Sequence, residues 1–106
     1  MTPELKRAIE ANVITVLRTI YDPEIPVNIY DLGLIYEISI SEEADVKVLM
    51  TLTSPNCPVA ESLPQEVKDK VNLVKNLRSA DVELTFEPPW DQDMLSDEAK
   101  LELGFL

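Results

Sequence analysis

Two stretches of strict alternation occupy the middle of the chain and constrain its fold more than any other feature. Leu34, Tyr36, Ile38 and Ile40 alternate with Ile35, Glu37, Ser39 and Ser41, and Val46, Val48, Met50 and Leu52 repeat the pattern. A period of two is that of a strand with one face buried. Between the runs stand only Ser41, Glu42, Glu43, Ala44 and Asp45, a short polar turn, so the two strands are expected to pair as an antiparallel hairpin.

Helical patterns flank the hairpin. Thr2, Pro3 and Glu4 form a helix start, with a hydroxyl at the N-cap, proline at the first helical position and an acid in the first turn. Leu5, Ile9, Val13, Val16, Leu17 and Ile20 then recur at helical spacing. The helix is expected to stop by Tyr21 and Asp22, because Pro23 pushes the residue before it out of the α region. Beyond the hairpin, Ala60, Leu63, Val67, Val71 and Val74 make a second stripe. Ser62, Leu63, Pro64 and Gln65 have the form of a capping box, which starts the regular helix at Ser62. Lys68, Lys70 and Lys75 lie among Glu66 and Asp69, the pattern of a solvated face. Residues 80–86 alternate again and predict a third strand, stopped by Pro88 and Pro89. Ser96, Asp97 and Glu98 open a last short helix, with Leu95, Ala99 and Leu103 toward the core and Gly104 at its end. The expected fold is α+β (mixed α/β): a single compact domain over residues 1–106, in the order α-β-β-α-β-α, with helices packed on a three-stranded sheet that contains the hairpin.

Composition narrows the function classes. A chain of 106 residues is long enough for one core without disulfides. Its single cysteine cannot bridge internally, and no N-terminal segment reads as a signal peptide, so a reducing cytoplasmic setting is expected. No apolar run approaches the roughly 18 residues of a membrane span. Nine basic residues against 20 acidic give a net charge of −11, which repels phosphate backbones and argues against a nucleic-acid partner. Histidine is absent, and with it the usual general base and the commonest nitrogen ligand for a metal.

The candidate site centres on Thr51, Leu52, Thr53, Ser54, Pro55, Asn56, Cys57 and Pro58, where the second strand runs into a proline-bounded turn. A cysteine at a strand-to-helix turn meets unpaired backbone N–H groups and a helix dipole, both of which favour the thiolate. The dipole argument weakens if the regular helix begins only at Ser62. On geometry alone, the reading of Cys57 as a reactive sulfur or metal ligand stands even with its reading as a small buried core residue. Asp22 and Glu24 flank a stiff proline in a connecting loop over residues 21–31, either as a rigid carboxylate pair or as a turn in which Asp22 caps backbone amides. Gly33, one of only two glycines, marks a backbone with φ > 0 or a close approach. The hairpin returns the chain toward Gly33 and so brings Asp31 near the end of the second strand, where Thr51, Thr53 and Cys57 emerge. Trp90, the only tryptophan, follows two prolines and reads as an anchor with its N–H bonded, or as a neighbour of the cysteine.

Four motifs in one order carry a resemblance: Asp22, Pro23, Glu24, Ile25; Asp31, Leu32, Gly33, Leu34, Ile35, Tyr36; the 51–58 stretch; and Glu87, Pro88, Pro89, Trp90, Asp91 followed by residues 99–104. Together they are similar to the metal–sulfur cluster assembly factor family, which includes SufT-type maturation factors, PaaD and a component of the eukaryotic cytosolic iron–sulfur assembly machinery. PaaD-type relatives carry a further cysteine-rich segment that is missing after Leu106, so the SufT-like branch is the better match. The resemblance implies an accessory role in assembling iron–sulfur clusters or transferring them to clients, not an enzyme. It makes Cys57 the functional thiol and places Asp22, Glu24, Asp31, Thr53 and Trp90 around it.

Clusters are generally held by four protein ligands, usually thiolates, and one chain offers one. The expected cargo is therefore a transient iron–sulfur cluster or iron, held by Cys57 at a site shared across a homodimer or with a partner's thiol. The implied partners are iron–sulfur assembly proteins and apo clients. The alternative is a non-catalytic adaptor whose acidic surface recruits clients or a P-loop ATPase carrier.

Overall fold

The hairpin forms where the alternation puts it. In the computed structural model, which describes residues 2–22, 25–53 and 62–104, strand β1 spans Ile35–Ile40 and β2 spans Asp45–Met50, and the two pair antiparallel. The turn between them is closed by Ser41: its Oγ accepts from Asp45 N at 3.1 Å, and its carbonyl accepts from Ala44 N at 3.0 Å. The register shifts between Ile35 and Glu37. Tyr36 is thus the extra residue of a bulge, a device that re-aims a side chain at a strand end.

Strand β3, Ser79–Leu84, joins β2 in parallel, from Asp45↔Ser79 to Met50↔Leu84, and the sheet order is β1-β2-β3. Parallel neighbours need a crossover, and here the crossover contains helix α2, Ser62–Val71. Helix α1, Pro3–Leu17, lies against β1 and α2, and α2 lies against β3. The two helices thus cover one face of the sheet side by side. Toward them point Val46, Val48 and Met50, all at most 2% exposed, with Ala80 from β3. Ile9, Val13 and Leu17 of α1 and Leu63, Val67 and Val71 of α2 complete this core at helical spacing. The opposite face carries Glu37, Ser39, Lys47, Asp81 and Glu83, with Lys47 paired to Glu83 at 3.0 Å. No helix among the described residues is long and apolar enough to cross a membrane.

Helix α1 begins as its sequence predicts, with Pro3 in the first turn and Thr2 Oγ1 accepting from Leu5 N at 3.1 Å. It ends earlier than predicted. Its last residue is Leu17, and Thr19 and Ile20 close the end with bonds to Val16 O and Leu17 O, three residues back. Ile20 is fully buried all the same, which is why it completes the apolar stripe without being helical. The described part of α2 begins at Ser62, and the residues before it, where the expected start would be tested, lie outside the described residues. Helix α3, Asp97–Leu103, has Ser96 Oγ accepting from Ala99 N and ends on Gly104 at φ 85°.

Candidate functional site

Because β2 and β3 are parallel, their C-terminal ends lie together with the start of β1. Crevices beyond the carboxyl ends of parallel strands are where α/β sheets take ligands. Three of the motif segments singled out in the sequence meet this end in their described residues. Thr51 and Thr53 continue β2, Leu34 and Gly33 precede β1, and Thr85 to Trp90 continue β3. Two backbone bonds fan the three chains out: Thr51 N donates to Leu34 O at 2.8 Å, and Thr85 N donates to Met50 O at 2.9 Å.

The loop between α1 and β1 is stitched at its base. Tyr21 and Asn28 form an isolated antiparallel bridge, and Ile29 N donates to Ile20 O at 2.8 Å. Val27, Ile29 and Leu32 are buried beneath it. Asp22 is 4% exposed, and its Oδ1 accepts from Ile25 N at 3.1 Å, which is the backbone cap considered from sequence. Asp31 is held from several sides. Its Oδ2 accepts from Asn28 Nδ2 at 2.8 Å, its N–H donates to Asn28 Oδ1 at 2.9 Å, and Arg18 faces its Oδ1 at 3.8 Å. The Arg18 guanidinium also stacks 5.1 Å over the Tyr30 ring. Asp31 thus clamps its own turn.

A C-terminal strap closes over this loop. Trp90 Nε1 donates to Leu32 O at 2.6 Å, so the tryptophan is an anchor with its N–H bonded. Ser96 N donates to Asp31 O at 2.8 Å. Gly33 has φ 82°, and a Cβ built on it would lie 2.2 Å from Met94 O. Both conditions inferred for this glycine, a left-handed backbone and a close approach, hold at once. Tyr36, aimed by the bulge, donates from its hydroxyl to Pro88 O at 2.7 Å. Burial pushes that hydroxyl's pKa above its ordinary value; a hydrogen bond with Thr51 offsets part of the rise and the charge of Asp91 adds to it. The phenol is therefore protonated, and a donor, at neutral pH.

Thr51 is fully buried, and Thr53 Oγ1 is a buried hydroxyl with no hydrogen-bond partner among the described residues. An orphaned buried hydroxyl is costly, which marks the exit of β2 as a place of chemical interest. Two expected site residues, Cys57 and Glu24, lie outside the described residues. Among those described, no three acidic, cysteine or histidine side chains gather to hold a metal ion. Sequence reasoning passed over the Arg18–Tyr30 stack and the Tyr36 hydroxyl. Only the bulge gives Tyr36 its role, and nothing in a strict alternation announces a bulge.

The family model described as iron–sulfur cluster assembly protein matches residues 10–84. The chain belongs to this family. The family match contains the α1–β1 loop, the hairpin, α2 and β3, and leaves out the Trp90 strap and α3. A family member from Porphyromonas gingivalis, an Fe-S protein maturation auxiliary factor, is 54% identical over 97 residues, covering 92% of each chain. The Bacillus subtilis Fe-S protein maturation auxiliary factor YitW is 34% identical, over 94% of this chain and 98% of its own. An iron–sulfur cluster carrier protein of Synechocystis is 28% identical over 77% of this chain, a match that takes up only 23% of the carrier. Among solved structures, a domain of unknown function from Bacillus anthracis superposes with a TM-score of 0.86 at 32% identity, covering 94% of this chain and 95% of that one. A conserved hypothetical protein of Thermotoga maritima superposes at 0.75 with 33% identity, covering 98% and 95%.

Proposed function

We propose that this chain is an accessory factor that helps assemble iron–sulfur clusters or transfer them to client proteins, with Cys57 as the thiol that holds the cargo in passing. The observation that carries the reading is convergence. The Asp22 loop, the Asp31 to Gly33 turn, the exit of β2 and the Trp90 strap are bonded to one another at one sheet end, and the chain that leaves this end leads within four residues of Thr53 to the only cysteine. The similarity to maturation auxiliary factors from two bacteria supports the same reading.

In this proposal Asp31, Thr53 and Trp90 shape the wall of the site, while Asp22 and Glu24 supply weak ligation or charge. The cluster or iron is cargo and not a resident group, since one thiol falls short of the four ligands a stable cluster takes. The remaining ligands come from a second copy or from a partner. No turnover is assigned: without histidine, only a carboxylate or lysine could activate the sulfur for catalysis. The unit that acts is the single domain over residues 1–106, working in the cytoplasm with assembly proteins and apo clients.

A second reading has its own support. A sequence like this one occupies 23% of a Synechocystis cluster carrier, so domains of this kind travel with a carrier. An adaptor that brings clients to a P-loop ATPase carrier through its acidic surface fits that arrangement. Exchange of Cys57 separates the two. On the thiol reading, Cys57→Ala and Cys57→Ser each abolish maturation of client enzymes in cells, and anaerobic reconstitution with size-resolved iron and sulfide analysis finds cargo only on the parent chain. Normal client activity in both variants refutes the thiol's role and leaves the adaptor.

A further inference from the structure

Among the described residues, strand β1 is an edge of the sheet. Its only neighbour in the sheet is β2, and no backbone group of Ile35–Ile40 makes a hydrogen bond outside that pair among the described residues. About half the strand's N–H and C=O groups therefore face outward unpaired. Alongside runs a groove of about 190 Å³, lined by Glu10 and Ile14 of α1, by Tyr30, and by Ile35, Tyr36, Glu37 and Ile38. Four successive residues of a strand cannot all point to one face of a sheet. A groove they line together must run along the strand's edge, where the free backbone groups are.

We propose that this groove takes an extended, basic segment of a partner protein, which adds to β1 as a further strand. Strand addition supplies main-chain hydrogen bonds, and the pockets beside the edge select alternate side chains. Here Ile14, Ile35 and Ile38 offer apolar contact, while Glu10 and Glu37 are exposed carboxylates that belong to no ion pair among the described residues. Five of the chain's nine bases are paired with other carboxylates: Lys6 with Glu42, Lys47 with Glu83, Lys68 with Asp81, Lys70 with Glu66 and Arg78 with Asp45. No lysine or arginine lines the groove, and the net charge of −11 draws a cationic segment toward it. A second copy of this chain is the poorer occupant, because pairing two β1 edges would bring the Glu10 and Glu37 carboxylates of both copies together. The inference is independent of the role given to Cys57.

The probe is a fluorescent peptide of alternating valine and lysine, with a fully N-methylated counterpart that cannot donate main-chain hydrogen bonds. Anisotropy should report binding of the first and none of the second. Glu10→Gln with Glu37→Gln should weaken binding about tenfold, equivalent to about 1.4 kcal/mol. Asp97→Asn with Glu98→Gln, the same change of net charge on α3, should leave it unchanged, as should Cys57→Ala. Amide exchange should slow at residues 35–40 and not along the outer edge of β3. Equal binding of the N-methylated peptide, or equal weakening by the two pairs of substitutions, reduces the effect to bulk attraction and overturns the proposal. Protection of residues 35–40 that grows with protein concentration in the absence of peptide overturns it in favour of self-association.

Discussion

The two glycines have nearly the same backbone, φ 82° at Gly33 and φ 85° at Gly104, but opposite surroundings. Replacing each by alanine therefore separates the cost of the conformation from the cost of the contact. At Gly104 a Cβ would meet nothing within 4 Å, so Gly104→Ala carries only the left-handed penalty, about 1 to 2 kcal/mol. At Gly33 the same atom would lie 2.2 Å from Met94 O and 2.9 Å from Met94 C. Backbone at both ends of that contact cannot yield as a flexible side chain would, so the strap must lift. Lifting it breaks the bonds from Trp90 Nε1 to Leu32 O and from Ser96 N to Asp31 O, each contributing about 1 kcal/mol net. Gly33→Ala should cost about 2 to 5 kcal/mol in all.

For a domain near this size, 1 kcal/mol is about 4 to 8 °C in Tm, so Gly33→Ala should melt lower by about 8 to 40 °C, and Gly104→Ala by about half as much or less. Thermal melts followed by circular dichroism measure both. Trp90 is the only tryptophan, so its emission reports the strap directly and should shift to the red in Gly33→Ala alone. Equal losses in the two variants, with unchanged emission, would refute the claim that Gly33 is required by the approach of Met94.

Trp90→Phe leaves Leu32 O without its donor and should cost about 1 kcal/mol in urea unfolding, as should Tyr36→Phe, which removes the donor to Pro88 O. Asp45 has its pKa lowered by its hydrogen bonds to Arg78 and Ser79. A depressed carboxylate stabilises the fold above its unfolded pKa and loses that contribution as pH falls through the folded value. Asp45→Asn should therefore lower Tm at neutral pH, and the difference from the parent should shrink as pH falls through the lowered pKa of Asp45; a difference that stays constant with falling pH would contradict the assignment. Asp22→Asn keeps the Oδ1 that accepts from Ile25 N but removes the charge, so on the proposed function it should melt close to the parent, while its client maturation falls. A loss of fold in that variant would make Asp22 a turn residue and nothing more.

What could be read in advance divides by the range of the physics. Local rules carried the hairpin, the start of α1 and both ends of α3, because alternation, the Thr2 and Ser96 caps and Gly104 each act within a few residues. The end of α1 was not readable from the apolar stripe: Ile20 is needed in the core whether or not it is helical, so periodicity runs past the true boundary. Alternation in residues 80–86 announces a strand but not its direction, and the parallel partnership with β2 comes from the length of the crossover and its cover by α2. At the site, Gly33 was marked by scarcity, and Trp90 as an anchor by its proline neighbours. Their partners, Met94 O and Leu32 O, are about 60 residues away in each case, and no local pattern encodes them.

The clamps on Asp31 and the burial of Asp22 bear on what kind of chemistry this sheet end can support. A carboxylate whose two oxygens already face Asn28 and Arg18 is a poor ligand for a cation, since binding would have to displace both partners. If, as proposed, one sulfur joins these walls, the site would position cargo without saturating it. On the proposed function that incompleteness is useful. A chain offering a full set of thiolates would hold a cluster too firmly to release it, whereas one that offers a single thiolate needs a partner's ligands to complete the shell and loses its hold once the partner supplies more. Adding a second thiol at Thr53, through Thr53→Cys, should then raise the iron retained after anaerobic reconstitution while lowering the rate of transfer to an apo client. Faster transfer together with firmer retention would contradict this account of why one sulfur suffices.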